Sequence, residues 1–154
     1  MKNPAYNYCL FLLSKQDYSA YKLKQKMRQK GYVDQEIQET IEALKNKNYL
    51  NENNYKRMVF KKWFLKGESA HKIQIRIEQE GLKISQEEIK DWSSEFQTSE
   101  TPSIIKLIEK KLRMKEIPTE YEEKQKLKNK VSRFLLSKGY DFESINRAIK
   151  NYIN

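Results

Sequence analysis

Clustered cations are the side chains of this chain best suited to chemistry, and what they offer is capture of phosphate or carboxylate, not bond making. Lys22, Lys24, Lys26, Arg28 and Lys30 crowd one stretch. Lys56, Arg57, Lys61, Lys62 and Lys66 form a second, followed closely by Lys72 and Arg76. Lys124, Lys126, Lys128, Lys130 and Arg133 form a third. At about 100° per residue, Lys22, Lys26 and Lys30 flank one side of a Leu23–Met27 stripe, and Lys24 and Arg28 flank the other. The chain of 154 residues carries a formal net charge of +10. The surplus is uneven: residues 52–100 hold 9 basic and 9 acidic side chains, whereas residues 101–154 hold 13 against 7. One lysine cluster is ordinarily a solvated helix face. Three clusters in a repeating chain point to a shared basic face for an acidic or nucleic-acid partner, with these residues other than Lys30 as the expected contacts.

Catalytic constellations are missing from the pattern. There is no glycine-rich phosphate loop, no nucleophile with a histidine base and no metal-ligand cluster, so neither an enzyme, a cofactor nor a metal is expected. His71, the single histidine, falls in the first turn of a helix and reads as a surface residue. Cys9, the single cysteine, excludes an internal disulfide and lies in the apolar run Tyr8–Leu13, where it reads as a small core residue.

The elements that must position the cations are written three times. Leu23, Met27, Gly31, Tyr32 and Ile37 recur as Ile73, Ile77, Gly81, Leu82 and Ile89, and again as Val131, Leu135, Gly139, Tyr140 and Ile145. An apolar pair four residues apart, a glycine four further on, a large apolar residue and a second apolar helix make one supersecondary unit. The glycine sits where a helix needs a left-handed residue to stop. Asp34, Ser85 and Asp141 are placed to cap the helices that follow it, and Ser69 the helix before Gly81. The second copy carries two extra residues between its glycine and Ile89. The fourth glycine, Gly67, ends the helix that leads into the second copy.

A further apolar helix precedes each copy, at roughly 5–14, 52–66 and 102–116, the last opened by Thr101-Pro102. The expected fold is therefore all-α, with three tandem three-helix repeats at 1–51, 52–100 and 101–154. Hydrophobic content of 38% and a mean hydropathy of −0.95 suit thin helical layers, in an elongated, curved, right-handed or solenoid-like array. The turns at Asn48 and Thr98–Thr101 are expected to set its curvature. Tyr49, Tyr55, Val59 and Trp63 read as packing at the joint between the first two copies. Phe60 and Phe64 lie on another side of the same helix, and packing on a neighbour explains them better than nucleobase stacking.

The glycine-following helices are acidic: Asp34, Glu36, Glu39 and Glu42 mark the first, and Glu87, Glu88, Asp91 and Glu95 the second. That argues against a helix-turn-helix reader, because phosphates flanking the major groove repel an acidic recognition helix. Basic residues on the earlier helices remain able to meet phosphates without reading sequence. No apolar run approaches a bilayer span and no signal segment opens the chain, so a cytoplasmic protein without a membrane partner is expected, acting as a monomer.

Taken in order, these motifs resemble the RecX family of bacterial recombinase regulators over essentially the whole chain. Leu12 to Ser19 with Leu23 and Lys30-Gly31-Tyr32 is similar to the family's first helical hairpin. Leu44, Tyr49-Leu50-Asn51-Glu52 and Tyr55 resemble its joint between repeats one and two. Lys66-Gly67, Ile73, Ile77 and Glu80-Gly81-Leu82 resemble its second repeat, and Phe134-Leu135 with Lys138-Gly139-Tyr140 its closing one. Asn48 replaces a usual glycine, Asn51 a usual acidic residue, and Glu68-Ser69 stand where a proline is frequent. Asparagine tolerates the left-handed conformation, so the turn survives. The resemblance implies a non-enzymatic regulator that binds the RecA recombinase filament on single-stranded DNA, mostly inhibiting ATP hydrolysis and strand exchange in repair and the DNA-damage response. The alternatives are a repeat protein that binds single-stranded, and secondarily duplex, DNA by charge alone, and a generic helical adaptor for acidic proteins.

Overall fold

The computed structural model describes residues 3–98, 101–113 and 115–154. These residues form helices and connecting turns with no strand. In chain order the helices are α1 (Pro4–Lys15), α2 (Ala20–Lys30), α3 (Asp34–Asn46), α4 (Glu52–Leu65), α5 (Ala70–Glu78), α6 (Gln86–Phe96), α7 (Ile104–Leu112), α8 (Tyr121–Ser137) and α9 (Phe142–Ile153). Two compact units are present, Met1–Val59 with Ile77–Ile84, and Phe60–Arg76 with Ser85–Asn154.

In the first unit, α1, α2 and α3 close around Ala5, Cys9, Leu23, Met27, Ile37, Ile41 and Leu44. Leu23 and Met27 share one face of α2, and Ile37, Ile41 and Leu44 share one face of α3, so each helix buries a single stripe. Each such aliphatic side chain contributes on the order of 1.5–3 kcal/mol by leaving water. The Ser19 hydroxyl oxygen accepts from the Lys22 N–H at 3.1 Å and starts α2. Gly31 ends it at φ +96°, and the Tyr32 N–H then reaches back to the Met27 carbonyl at 3.1 Å. One expected cap moves by a residue: Val33, not Asp34, precedes α3. There the Glu36 carboxylate accepts from the Val33 N–H at 3.2 Å, which leaves Asp34 inside the first turn. Asn48 adopts the left-handed conformation at φ +58°, as its replacement of a glycine requires.

The second unit holds a core of Leu107, Ile108, Leu112, Val131, Leu135, Ile145, Ile149 and Ile153 contributed by α7, α8 and α9. It also holds an aromatic group: Phe60 is fully buried, with ring centroids 5.6 Å from Phe64, 5.7 Å from Trp92 and 6.4 Å from Phe96. Ser69, Ser85 and Asp141 accept N–H bonds from Lys72, Glu88 and Ser144, at 3.2, 3.0 and 2.7 Å. The Ser69 side chain also donates to the Gly139 carbonyl oxygen at 2.7 Å, tying the start of α5 to the end of α8.

Two expectations need correction here. The leading helix placed at 102–116 runs only from Ile104 to Leu112. Ser103 caps it by accepting from the Lys106 N–H at 3.2 Å, and Arg113 terminates it in the left-handed region at φ +44°. Met114 lies outside the described residues, as do Ser99 and Glu100 of the Thr98–Thr101 turn. Tyr49, expected to pack, is 54% exposed, whereas Tyr55 is buried. The reason is the turn itself: with Asn48 left-handed, the Tyr49 and Leu50 N–H groups both reach the Leu44 carbonyl, and it is Leu50 that enters the core.

Candidate cationic interface

The structure sorts the sixteen expected contact residues by what each already touches. Lys22 Nζ lies 3.0 Å from Glu80 Oε1, beside the Tyr55 hydroxyl that donates to the same carboxylate oxygen at 2.9 Å. Burial opposes the Lys22 charge, but Glu80 and Tyr55 outweigh it and hold the ammonium above its ordinary pKa. Lys56 is buried, its Nζ donating to the Lys83 carbonyl at 2.8 Å. Lys72 and Arg76 converge on Glu68, which is only 4% exposed. The Arg76 Nε is 2.5 Å from Glu68 Oε1, and Lys72 Nζ is 3.3 Å from Oε2. Lys72 Nζ also donates to the Ser137 carbonyl. Lys22, Lys56, Lys72 and Arg76 are thus occupied by internal partners, and sequence spacing alone does not reveal this.

The others stand further out. Lys26 lies over the Tyr18 ring, while Lys61 and Lys62 lie over Phe96 and Trp63, at 5.7, 5.6 and 5.0 Å. Rings hold such ammonium groups in place without removing their charge. Arg28 meets exposed Asp34 at 3.5 Å and Lys126 meets Glu123 at 3.2 Å, pairs that solvent screens. Lys128 donates to Asn154 Oδ1 at 3.0 Å. Arg57 and Arg133 are exposed, and Lys24 and Lys124 half-buried.

Lys66 and Lys130, from α4's end and α8, line the same groove in the second unit. Its volume is about 940 Å³, and Lys106, Lys110, Lys111, Arg113, Lys115 and Lys138 line it with them. Leu65, Pro102, Leu107 and Phe134 supply apolar surface, and among the described residues no carboxylate lines it. Lys111 and Lys138 place Nζ 4.9 and 5.8 Å from the Phe134 ring centroid. Lys138 Nζ also donates to the Lys66 carbonyl at 3.2 Å. Six of these eight cations are absent from the expected set. The signal that could have found them is the density of basic residues in and just after a short helix, Lys106, Lys110, Lys111, Arg113 and Lys115, set beside a small share of acidic ones.

Cys9 is fully buried, and desolvation pushes its thiol up to about 11. His71 is exposed. Among the described residues no group of three or more His, Cys, Asp or Glu side chains is placed to hold a metal ion, and no helix is long and apolar enough to cross a membrane.

Residues 5–44 match the family model described as RecX, first three-helix domain, and residues 103–149 match RecX, third three-helix domain. A Clostridium perfringens (strain 13 / Type A) protein named Regulatory protein RecX is 33% identical over 133 residues, covering 86% of this chain and 60% of its own length. This chain thus spans about three-fifths of such clostridial relatives. An Actinobacillus pleuropneumoniae (serotype 5b, strain L20) protein of the same name is 33% identical over 138 residues, covering 88% of this chain and 84% of its own. The crystal structure of RecX from Lactobacillus salivarius superposes with a TM-score of 0.67 at 20% identity, over 96% of this chain and 93% of that one. At that identity the likeness speaks for the fold.

Proposed function

The chain belongs to the RecX family of regulatory proteins, and from that premise we propose that it is a non-enzymatic modulator of the RecA recombinase filament on single-stranded DNA. It lowers the filament's ATP hydrolysis and strand exchange through binding alone, with the repeats 1–51, 52–100 and 101–154 as its modules. The observation that carries this reading is the family relationship, which extends over 88% of the chain with a relative called a regulatory protein. Support of a physical kind comes from cations held outward on aromatic rings, which suit an acidic filament surface.

Addition of the purified protein to the cognate recombinase on single-stranded DNA should slow ATP hydrolysis at sub- to near-stoichiometric amounts. Unchanged hydrolysis, filament length and strand exchange would discard the proposal. The second reading, binding of nucleic acid by charge alone, is favoured by the groove that, among the described residues, eight cations and no carboxylate line. It predicts that inhibition disappears at the salt concentration that abolishes binding to naked DNA. Inhibition that persists beyond that concentration favours direct contact with the recombinase.

A further inference from the structure

We propose that the groove between α7, α8 and the end of α4 is a binding site for a single-stranded phosphodiester backbone. The assignment rests on the nucleic-acid-linked role above and gives it a place and a ligand chemistry.

Regular charge spacing is the first argument. Lys106 and Lys110 stand four residues apart on α7, a rise of about 6 Å. Lys130 on α8 and Lys138, the cap at its end, stand eight apart, about 12 Å, with Phe134 midway between them. Two cationic rows thus line one groove of about 940 Å³ in which, among the described residues, no acidic side chain takes part. Concentrating like charge costs stability through self-repulsion, and a bound polyanion relieves that cost. A polymer with one negative charge per repeating unit matches rows of this kind better than an acidic peptide, whose charges follow its own sequence.

The floor is the second argument. Phe134 is half-buried and Leu107 buried, while the adjoining Leu65 is 43% exposed. A surface with cations at its rims and apolar side chains at its base accommodates phosphates and unpaired base faces together. Duplex DNA keeps its base faces stacked inside and leaves that floor unused. Neither face of Phe134 needs to be bare: Lys111 and Lys138 bring charge to the ring where a backbone would pass.

The test is fluorescence anisotropy of the full chain with a labelled oligothymidylate longer than one site of roughly 4–16 nucleotides. The Lys110→Ala/Lys130→Ala pair should bind roughly fivefold to tenfold more weakly than wild type. Its log–log salt slope should be shallower by about 1.4, since each single-strand phosphate contact contributes about 0.7. Both residues are exposed, so helix content by circular dichroism should not change, and the Lys110→Arg/Lys130→Arg pair should retain binding. An Arg147→Ala/Lys150→Ala pair on α9, exposed and outside the groove lining, should stay within about twofold of wild type, as it removes no contact to the groove. Equal binding by the groove pair and wild type overturns the assignment. So does polyglutamate that binds more tightly than the oligonucleotide and weakens in the same pair, which would assign the groove to an acidic protein segment. A protein that binds the strand through this groove yet leaves recombinase ATP hydrolysis untouched sinks the regulatory reading alone. One that inhibits the recombinase, while its groove pair binds the strand normally, sinks this inference alone.

Discussion

The Arg76 guanidinium lies 3.7 Å from the Trp63 ring centroid while its Nε sits 2.5 Å from Glu68 Oε1, so one cation stacks on a ring and neutralises a buried carboxylate at once. Glu68 has almost no solvent to fall back on. A residue that looks like part of a basic binding surface is thus half-buried and already paired within its unit.

Acid stability should depend on this pair. Burial opposes the Glu68 charge, but the hydrogen bonds and charge of Arg76, with Lys72 beside it, outweigh that and hold its carboxyl below the ordinary carboxylate range. A lowered folded-state pKa means that the stabilisation is present above the unfolded value and lost as pH falls through the folded one. Glu68→Gln should therefore destabilise at neutral pH by roughly 2 kcal/mol, with the difference from wild type shrinking below about pH 4. Urea unfolding at a series of pH values measures it; a gap that is constant with pH would contradict the sign.

Gly139 should not tolerate a side chain. It sits at φ +91°, and a Cβ there would come within 2.5 Å of both Lys72 Cβ and Ser69 Oγ. Gly139→Ala should lower stability by about 1–3 kcal/mol through left-handed strain, with a further cost as α5 is pushed from the end of α8. At Gly31 a Cβ meets nothing within 4 Å, so Gly31→Ala should cost only the strain. Thermal unfolding of the two variants should rank Gly139→Ala well below Gly31→Ala.

Asn48 offers the converse experiment. At φ +58° it occupies a conformation that glycine adopts without strain and β-branched residues resist. Asn48→Gly should be neutral or slightly stabilising, and Asn48→Val should destabilise by about 1–2 kcal/mol. Equal midpoints for the two in chemical denaturation would show that the turn does not need the left-handed residue.

Cys9 should be silent toward thiol reagents in the native protein. It is buried and its thiol is pushed up to about 11 by desolvation, so at neutral pH little thiolate exists and little access is given to it. A chromogenic disulfide should label it only as fast as the unit opens, with full labelling in denaturant. Rapid native labelling would mean that α1 leaves its place readily.

Helix boundaries and their punctuation were legible in the sequence because they are local. The stop at Gly31 and the caps at Ser69, Ser85 and Asp141 each depend on residues within a few positions, and the i, i+4 apolar pairs name the buried faces of α2 and α8. Where local rules were closely balanced the reading slipped: Glu36 drew the cap of α3 to Val33, and Ser103 with Arg113 shortened α7. The fate of the cations was another matter. Lys56 reaches the carbonyl of Lys83, and Lys66 shares a groove with Lys130 and Lys138, partners separated by tens of residues. Helical periodicity tells which side of a helix a lysine occupies, but not which neighbour the chain folds against that side. That is why charge and repeats were settled by sequence alone, while only the tertiary structure decided which lysines are engaged internally and which gather as an open cationic groove.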